Sequence, residues 1–387
     1  MKIEEYELGQ LLSYEQPTPY IVESTKYNDA YKTPVLTAGK SFIIGYTDET
    51  DGIYTKLPVI IFDDFTTSTQ YVNFNFKVKS SAMKILTANT SLVLPKYIFY
   101  QMQIINFDHS THKRYWIQQY SKIKVKIPPL SVQEQVVRKI EELFSELDKG
   151  VETLQTIKQQ LAVYRQAVRK KAFEGVLTKS PVEKFEFLGN LIEKPRYGTS
   201  KKCDYEFEEH STPVYRIPNI CYRLGTISKE NIKFAKFTAA ELHDLRLQSG
   251  DILIIRSNGS VSLVGRAAIV RESDIDGTFA GYLMRLRIKD SAKINPRYLL
   301  HYLNSHNARM YIENKAKSTS GVNNINSSEI CGLTIPMVEY IEQLQIVDAI
   351  ESRLSVCDSI EQTVDAALAQ AEAMRQSILK KAFEGGL

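Results

Sequence analysis

The 387-residue chain is short of most features that mark catalytic or membrane proteins. No run reaches the ~18 apolar residues that a membrane helix needs. The opening stretch, Met1 to Leu12, holds acidic residues where a secretory leader needs a basic and then an apolar segment, so a cytoplasmic protein without a membrane role is expected. Its cysteines, Cys203, Cys221, Cys331 and Cys357, form no CxxC pair, which argues against a zinc site or a disulfide framework. There is no Gly-x-x-x-x-Gly-Lys-Ser/Thr phosphate loop. An Asn-Pro-Pro-aromatic or Asp-Pro-Pro-Tyr string of amino-methyltransferases is missing, and so is a nucleophile elbow. His109 and His112 stand three apart but lack a third ligand. Asp63-Asp64 lacks a following Glu-x-Lys or His cluster, so turn and hydrogen-bond chemistry is expected there. No catalytic residue, metal site or cofactor is assigned to the chain.

What is present is a repeat. RQAVRKKAFEG (Arg165 to Gly175) and RQSILKKAFEG (Arg375 to Gly385) agree at eight of eleven positions, 210 residues apart. Ile140-Glu141, Ser145 and Asp148 find matches at the same offset in Ile350-Glu351, Ser355 and Asp358. Ile127-Pro128 and Glu134-Gln135 match Ile335-Pro336 and Glu342-Gln343 at an offset of 208, so a two-residue insertion is expected at the second helix entrance. Copies this far apart are not a solenoid, whose period is roughly 20–50 residues. They are a duplicated module with something large between.

Each copy reads as a long helix. Ile140, Leu147, Leu154, Leu161 and Val168 recur every seven residues, as do Ile350, Cys357, Val364, Ala371 and Ile378. With Leu143, Ile157, Tyr164, Ile360, Ala367 and Met374 three residues after some of these, they predict an a/d coiled-coil seam. Cys357 is read there as a small apolar seam residue. Pro128-Pro129 and Pro336 precede the helices, and Gly175 and Gly385 stop them. The first, over about 131–174, would span ~66 Å.

The remaining segments are rich in Tyr, Phe, Ile, Val, Thr and Asn. Strand-like runs include Phe42 to Tyr46, Val59 to Phe62, Tyr71 to Val78, Asp251 to Arg256, Arg266 to Val270 and Met284 to Ile288. Helical stretches follow late in each, Lys96 to Met102 and Pro296 to Asn304. Leu8-Gly9-Gln10-Leu11-Leu12 resembles Leu188-Gly189-Asn190-Leu191-Ile192, but the interiors do not match. The expected fold class is α+β: two mixed α/β globules (1–126 and 179–334), each followed by a helix (127–178 and 335–387). Chain order requires the second helix to return towards the first globule. The two helices are then antiparallel, and the molecule is pseudo-two-fold symmetric. Net charge is +4, with the basic excess in 179–334, compatible with nucleic acid without proving it.

This layout resembles the specificity subunit of type I restriction-modification enzymes over the whole chain. The helix openings and KKAFEG endings carry the likeness, with RSNGS (Arg256 to Ser260), LVGRAAIV (Leu263 to Val270) and STSGVNNIN (Ser318 to Asn326) in the second globule. PVLTAGKSFIIGY (Pro34 to Tyr46) and FDDFTTSTQY (Phe62 to Tyr71) are similar to another variety of recognition domain. The resemblance implies a non-catalytic DNA-reading subunit. Each globule would read one half of a split double-stranded target, and the helices would set the gap between halves. The helices would also dock two methyltransferase subunits and the restriction-motor subunits. S-adenosylmethionine, ATP and magnesium would belong to those partners.

In that setting, base readout needs Arg, Lys, Asn, Gln, Ser or Thr on loops that enter a groove. Arg256, Ser257, Asn258 and Ser260 follow an apolar strand, with Gly259 allowing a tight turn. Arg can bond guanine and Asn adenine, each worth roughly 1–3 kcal/mol of discrimination. Ser318, Thr319, Ser320 and Asn323 form a polar loop suited to phosphate. Arg196, Tyr197 and Lys201 place a ring among cations. The first globule offers Lys40 and Ser41, then Thr66, Thr67 and Ser68, then Lys77 and Lys79, and last Lys113, Arg114 and Tyr115. The plain alternative at each is a solvated polar turn. The alternative for the whole chain is a protein-binding coiled-coil scaffold, which would lack the steep salt dependence of DNA binding.

Overall fold

The computed structural model describes residues 3–37, 41–108, 114–174, 184–316 and 321–386. Two 44-residue helices dominate, Leu130–Phe173 and Tyr340–Phe383. The chain divides into two compact units, one of residues 1–155 with 365–387 and the other of residues 156–364. Each unit therefore holds one globule and half of each long helix.

In the first unit a four-stranded antiparallel sheet has the order Leu12–Glu15, Met83–Ala88, Val59–Asp63, Thr69–Val72. Beside it lies a three-stranded sheet in the order Ile43–Thr47, Thr33–Leu36, Lys77–Val78, whose last pair is parallel. The second unit repeats this plan. Its four-stranded sheet runs Arg196–Tyr197, Leu283–Leu286, Ile252–Ile255, Ala267–Ile269. Its three-stranded sheet runs Lys233–Lys236, Ser211–Tyr215, Thr278–Phe279, again with a parallel last pair. Strand for strand, order and direction agree, although the sequences have diverged. The central strands Val59–Asp63 and Ile252–Ile255 are buried along their whole length, as two-sided coverage requires.

The run Tyr71 to Val78 is not one strand. The chain leaves the first sheet after Val72 and joins the second at Lys77. Alternation continues through Phe74 and Phe76, which is why the sequence reads through the crossover.

The helix entrances are also duplicated. Glu4–Glu7 pairs with Lys124–Ile127, and Lys184–Phe187 pairs with Thr334–Met337. Ile127 therefore answers Met337, not Ile335, and both helices begin 210 residues apart. The expected two-residue insertion does not exist. Gln133 and Gln343, both fully buried, make the equivalence concrete. Gln133 donates to Leu92 O and Pro128 O and accepts from Leu94 N. Gln343 donates to Lys293 O and Val338 O and accepts from Asn295 N. Each clamps its helix start to its globule by satisfying backbone groups that would otherwise be buried unpaired.

Within each unit the two helix halves run antiparallel. In the first, Ile140 and Phe144 cluster with Leu379 and Ala382, and Arg375 pairs with Asp148. In the second, Arg165 binds Asp358 at 2.6 Å and Glu361 at 2.8 Å. The seven-spaced residues face inward. Ile140, Leu161, Val168, Ile350, Cys357, Val364 and Ala371 are buried, and Leu147, Leu154 and Ile378 half-buried. The expected second stripe is only partly covered: Leu143, Ile157 and Ala367 are half-buried, whereas Tyr164, Ile360 and Met374 are exposed. Burial falls one residue later, at Phe144, Ala172, Leu354 and Ala382. The cause is the globule, which covers that side of each helix: Tyr100, for instance, lies edge-on to Phe144 at 5.7 Å.

The KKAFEG ends are anchors. Phe173 lies 5.2 Å from Tyr298 and 5.1 Å from Tyr302, both edge-on. Phe383 meets Tyr97 at 5.1 Å.

Candidate nucleic-acid interface

In the second unit three separate stretches of sequence come together. Ser257-Asn258 forms a short ladder with Asn323-Asn324, sixty-six residues further on. Asn323 Nδ2 donates to Gly259 O at 2.9 Å, and Asn258 Oδ1 accepts from Ser260 N at 2.9 Å. Tyr197 completes the group. Its hydroxyl accepts from Ser327 N and Oγ at 3.0 and 2.9 Å, and the Arg256 guanidinium lies 4.3 Å from its ring centre. Arg256 also donates to Gly281 O, while its buried Nε has no partner. The guanidinium is thus held over the ring by a cation–π contact and one backbone hydrogen bond.

Beside these residues lies a cleft of about 630 Å³. Lys201, Arg216, Lys233 and Arg256 line it, with Tyr197 and Tyr282 and, among the described residues, no carboxylate. Gly198 lets the chain pass here, because a Cβ would stand 2.3 Å from Phe279 O. Tyr205 carries Lys233 at 4.4 Å and Arg216 at 5.5 Å from its ring centre. Tyr205, Phe207 and Tyr282 are exposed aromatics that sequence reasoning missed. Their only signal was rings interleaved with basic residues around Lys201.

Some expected contacts are altered by their neighbours. Lys201 is held by Lys236 O at 3.0 Å and Glu241 at 2.7 Å, so its charge is already shared. That bond, with a backbone bond from Thr238, holds the Glu241 carboxyl down at about 2. Arg196 pairs with Asp244. Gly259 lies in the bend after the ladder strand without a positive φ, and a Cβ there would meet nothing within 4 Å, so the turn does not require glycine.

In the first unit Asp64 gathers the site. Its carbonyl accepts from Tyr115 N at 3.0 Å and its Oδ1 from Trp116 N at 2.9 Å. Asp63 Oδ1 accepts from Phe65 N and Thr66 N, shaping the turn that presents Thr66, Thr67 and Ser68. Arg114 is brought beside that turn and is exposed, as are Ser41 and Lys79. The acidic pair is therefore turn chemistry, and Asp64 Oδ2 also faces the buried Lys84 at 3.4 Å. Two expected contacts are corrected. Lys77 is 4% exposed, bound to Glu49 at 2.8 Å and to Asp51 O at 2.6 Å. That bond holds the Glu49 carboxyl below its usual range. Tyr115 is 1% exposed, edge-on to Phe107 in the core. Lys40, Lys113, Ser318, Thr319, Ser320, His109 and His112 lie outside the described residues.

Among the described residues no group of three His, Cys, Asp or Glu could hold a metal ion, and no helix is long and apolar enough to cross a membrane. One frame used twice, with different loop chemistry on each copy, defines a duplicated α+β fold with divergent surfaces. No family-level sequence profile matches the chain. The type I restriction enzyme EcoR124I/EcoR124II specificity subunit of Escherichia coli is 32% identical over 382 residues, covering 93% of this chain and 89% of that protein. The StySPI specificity subunit of Salmonella potsdam is 32% identical over 276 residues, covering 69% and 58%. The EcoKI specificity subunit of Escherichia coli K12 is 31% identical over 278 residues, with the same coverage. The chain thus spans under two thirds of the latter two. A solved chain from "Structural basis underlying complex assembly and conformational transition of the type I R-M system" superposes with a TM-score of 0.66 at 16% identity, covering 100% and 98%, a likeness of fold. The chain belongs to the specificity subunits of type I restriction enzymes.

Proposed function

We propose that the chain reads DNA sequence for a type I restriction-modification complex, each globule recognising one half of a split double-stranded target. The observation that carries this reading is the duplicated strand plan bearing dissimilar polar loops. Two identical frames with identical loops would suit a symmetric ligand, whereas divergent loops suit two different half-sites. In the second unit the readers are Arg256 and Asn258, supported by Tyr197 and the acid-free cleft. Lysines and arginines around them contact phosphates, and the side chains on the ladder contact base edges. In the first unit the readers are on the turn at Thr66 to Ser68 and beside Arg114.

The long helices, equal in length in both copies, set the number of unread base pairs between halves. They also carry exposed apolar residues, Val163 and Tyr164 on the first and Val356 and Ile360 on the second. These supply a surface for two methyltransferase subunits and for the restriction-motor subunits. Transfer chemistry belongs to those partners, with S-adenosylmethionine, ATP and magnesium, and this chain supplies the address.

The test is the set of adenines methylated in cells that carry this chain with its partner methyltransferase. Arg256→Ala should relax one base position in one half only, by the roughly 1–3 kcal/mol of a bidentate contact. An unchanged methylated sequence would remove Arg256 from the reading surface.

A further inference from the structure

Where the first long helix meets the globule of the second unit there is a cavity of about 430 Å³. Its wall carries six basic side chains, Lys158, Arg165, Arg169, Arg223, Arg266 and Arg309, against two carboxylates, Glu313 and Glu361. Those carboxylates are already engaged. Glu361 binds Arg165 at 2.8 Å and Arg223 at 3.4 Å, and Glu313 binds Arg309 at 2.8 Å. Nearby Asp358 is taken by Arg165 at 2.6 Å. Arg266 and Arg169 have no carboxylate partner among the described residues. Arg266 donates to Ser262 O at 3.1 Å and lies against the Tyr222 ring. Arg169 is only 9% exposed, yet its guanidinium makes no hydrogen bond or salt bridge with any described residue.

Burial, with Arg165 and Arg266 close by, brings the Arg169 pKa down to about 10. That is still far above neutrality, so the side chain stays charged. A buried cation without a counter-ion is costly, and the fold does not need one here. The residue answering Arg169 in the other copy is Leu379, packed in the core at 2% exposure. The same helix position is apolar where the adjoining cavity, of about 630 Å³, is lined by Glu141, Asp148, Glu152 and Glu372, and cationic where the adjoining cavity is basic.

We propose that this cavity binds a phosphate group, gripped by the guanidinium forks of Arg169 and Arg266. A tetrahedral anion offers paired oxygens to two planar forks at once, which a single carboxylate does not. The volume falls within the range of small-ligand sites, so the phosphate can carry an attached group. It can be a free phosphate or a backbone phosphate of nucleic acid. The site does not depend on the reading of bases, and its test returns the same results if Arg256 contacts no base.

Full-length protein is titrated with inorganic phosphate at ionic strength matched by chloride, and separately with a short duplex of unrelated sequence. For a free phosphate, the melting temperature of the wild type rises saturably with phosphate and that of Arg169→Leu does not. For a backbone phosphate, Arg169→Leu binds the duplex several-fold more weakly, with a salt slope shallower by about one. Should Arg169→Leu fail to fold, Arg266→Gln carries the same comparison. Equal responses of wild type and variant to both probes overturn the proposal.

Discussion

Replacing Phe173 by alanine tests how the repeats hold their globules. Phe173 is 8% exposed and inserts edge-on between Tyr298 and Tyr302 in the largest core of the second unit. Truncating a buried phenylalanine costs about 3–5 kcal/mol, transfer and cavity terms together. Two edge-to-face partners at about 0.5–1.5 kcal/mol each belong to that figure. A loss of about 3 kcal/mol is therefore expected. Phe383 is only half-buried and has one ring partner, Tyr97, so Phe383→Ala should cost about 2 kcal/mol on the same scale. The two units need not unfold together, so a whole-chain midpoint registers a loss without assigning it to one unit. Hydrogen exchange resolved by segment assigns it. Phe173→Ala should speed exchange in Pro296–Leu303 about a hundredfold and leave Pro95–Met102 unchanged, and Phe383→Ala should do the reverse. A loss below about 1 kcal/mol for Phe173→Ala, or protection lost equally in both helices, would refute the anchoring role.

Gly150 lies inside the first long helix with open space where a Cβ would go. Gly150→Ala should therefore stabilise by about 1 kcal/mol, seen as a higher urea midpoint, and a lower one would mean that the helix bends there. Burial holds the His301 imidazole below its ordinary value although Nε2–H donates to Glu351 at 3.3 Å. The unfolded chain takes up that proton near pH ~6.5, so it binds more protons than the folded one below that pH. The second unit should lose stability as pH falls from about 6.5 through the lower folded value. Glu351, held low chiefly by the His301 bond, adds its loss only at more acid pH. His301→Leu should flatten the first part of the urea-midpoint profile, and a wild-type profile already flat between pH 8 and 5 would contradict this.

The helices were legible because heptads, flanking prolines and terminal glycines are local signals. Strand positions were legible to within a residue or two wherever a short apolar run had turn residues on both sides, as at Val59 and Ile252. The shared strand plan was not, because a topology tolerates any apolar residue of suitable size, and the interiors kept pattern without identity. The helix entrance misled for a related reason. Ile-Pro and Glu-Gln recur by coincidence two residues out of step, whereas the residues equivalent in function are Gln133 and Gln343. Among the candidate contacts, sequence marks polarity but not burial, so Lys77 and Tyr115 looked available. The ladder joining Ser257-Asn258 to Asn323-Asn324 links residues far apart in the chain and leaves no local trace.

The most direct measurement replaces residues 188–334 with the corresponding segment of another such subunit and maps methylated adenines by single-molecule sequencing. Two independent readers predict a two-part sequence with a fixed gap, in which one half changes while the other half and the gap stay constant. A continuous sequence, or a change in both halves, would contradict them.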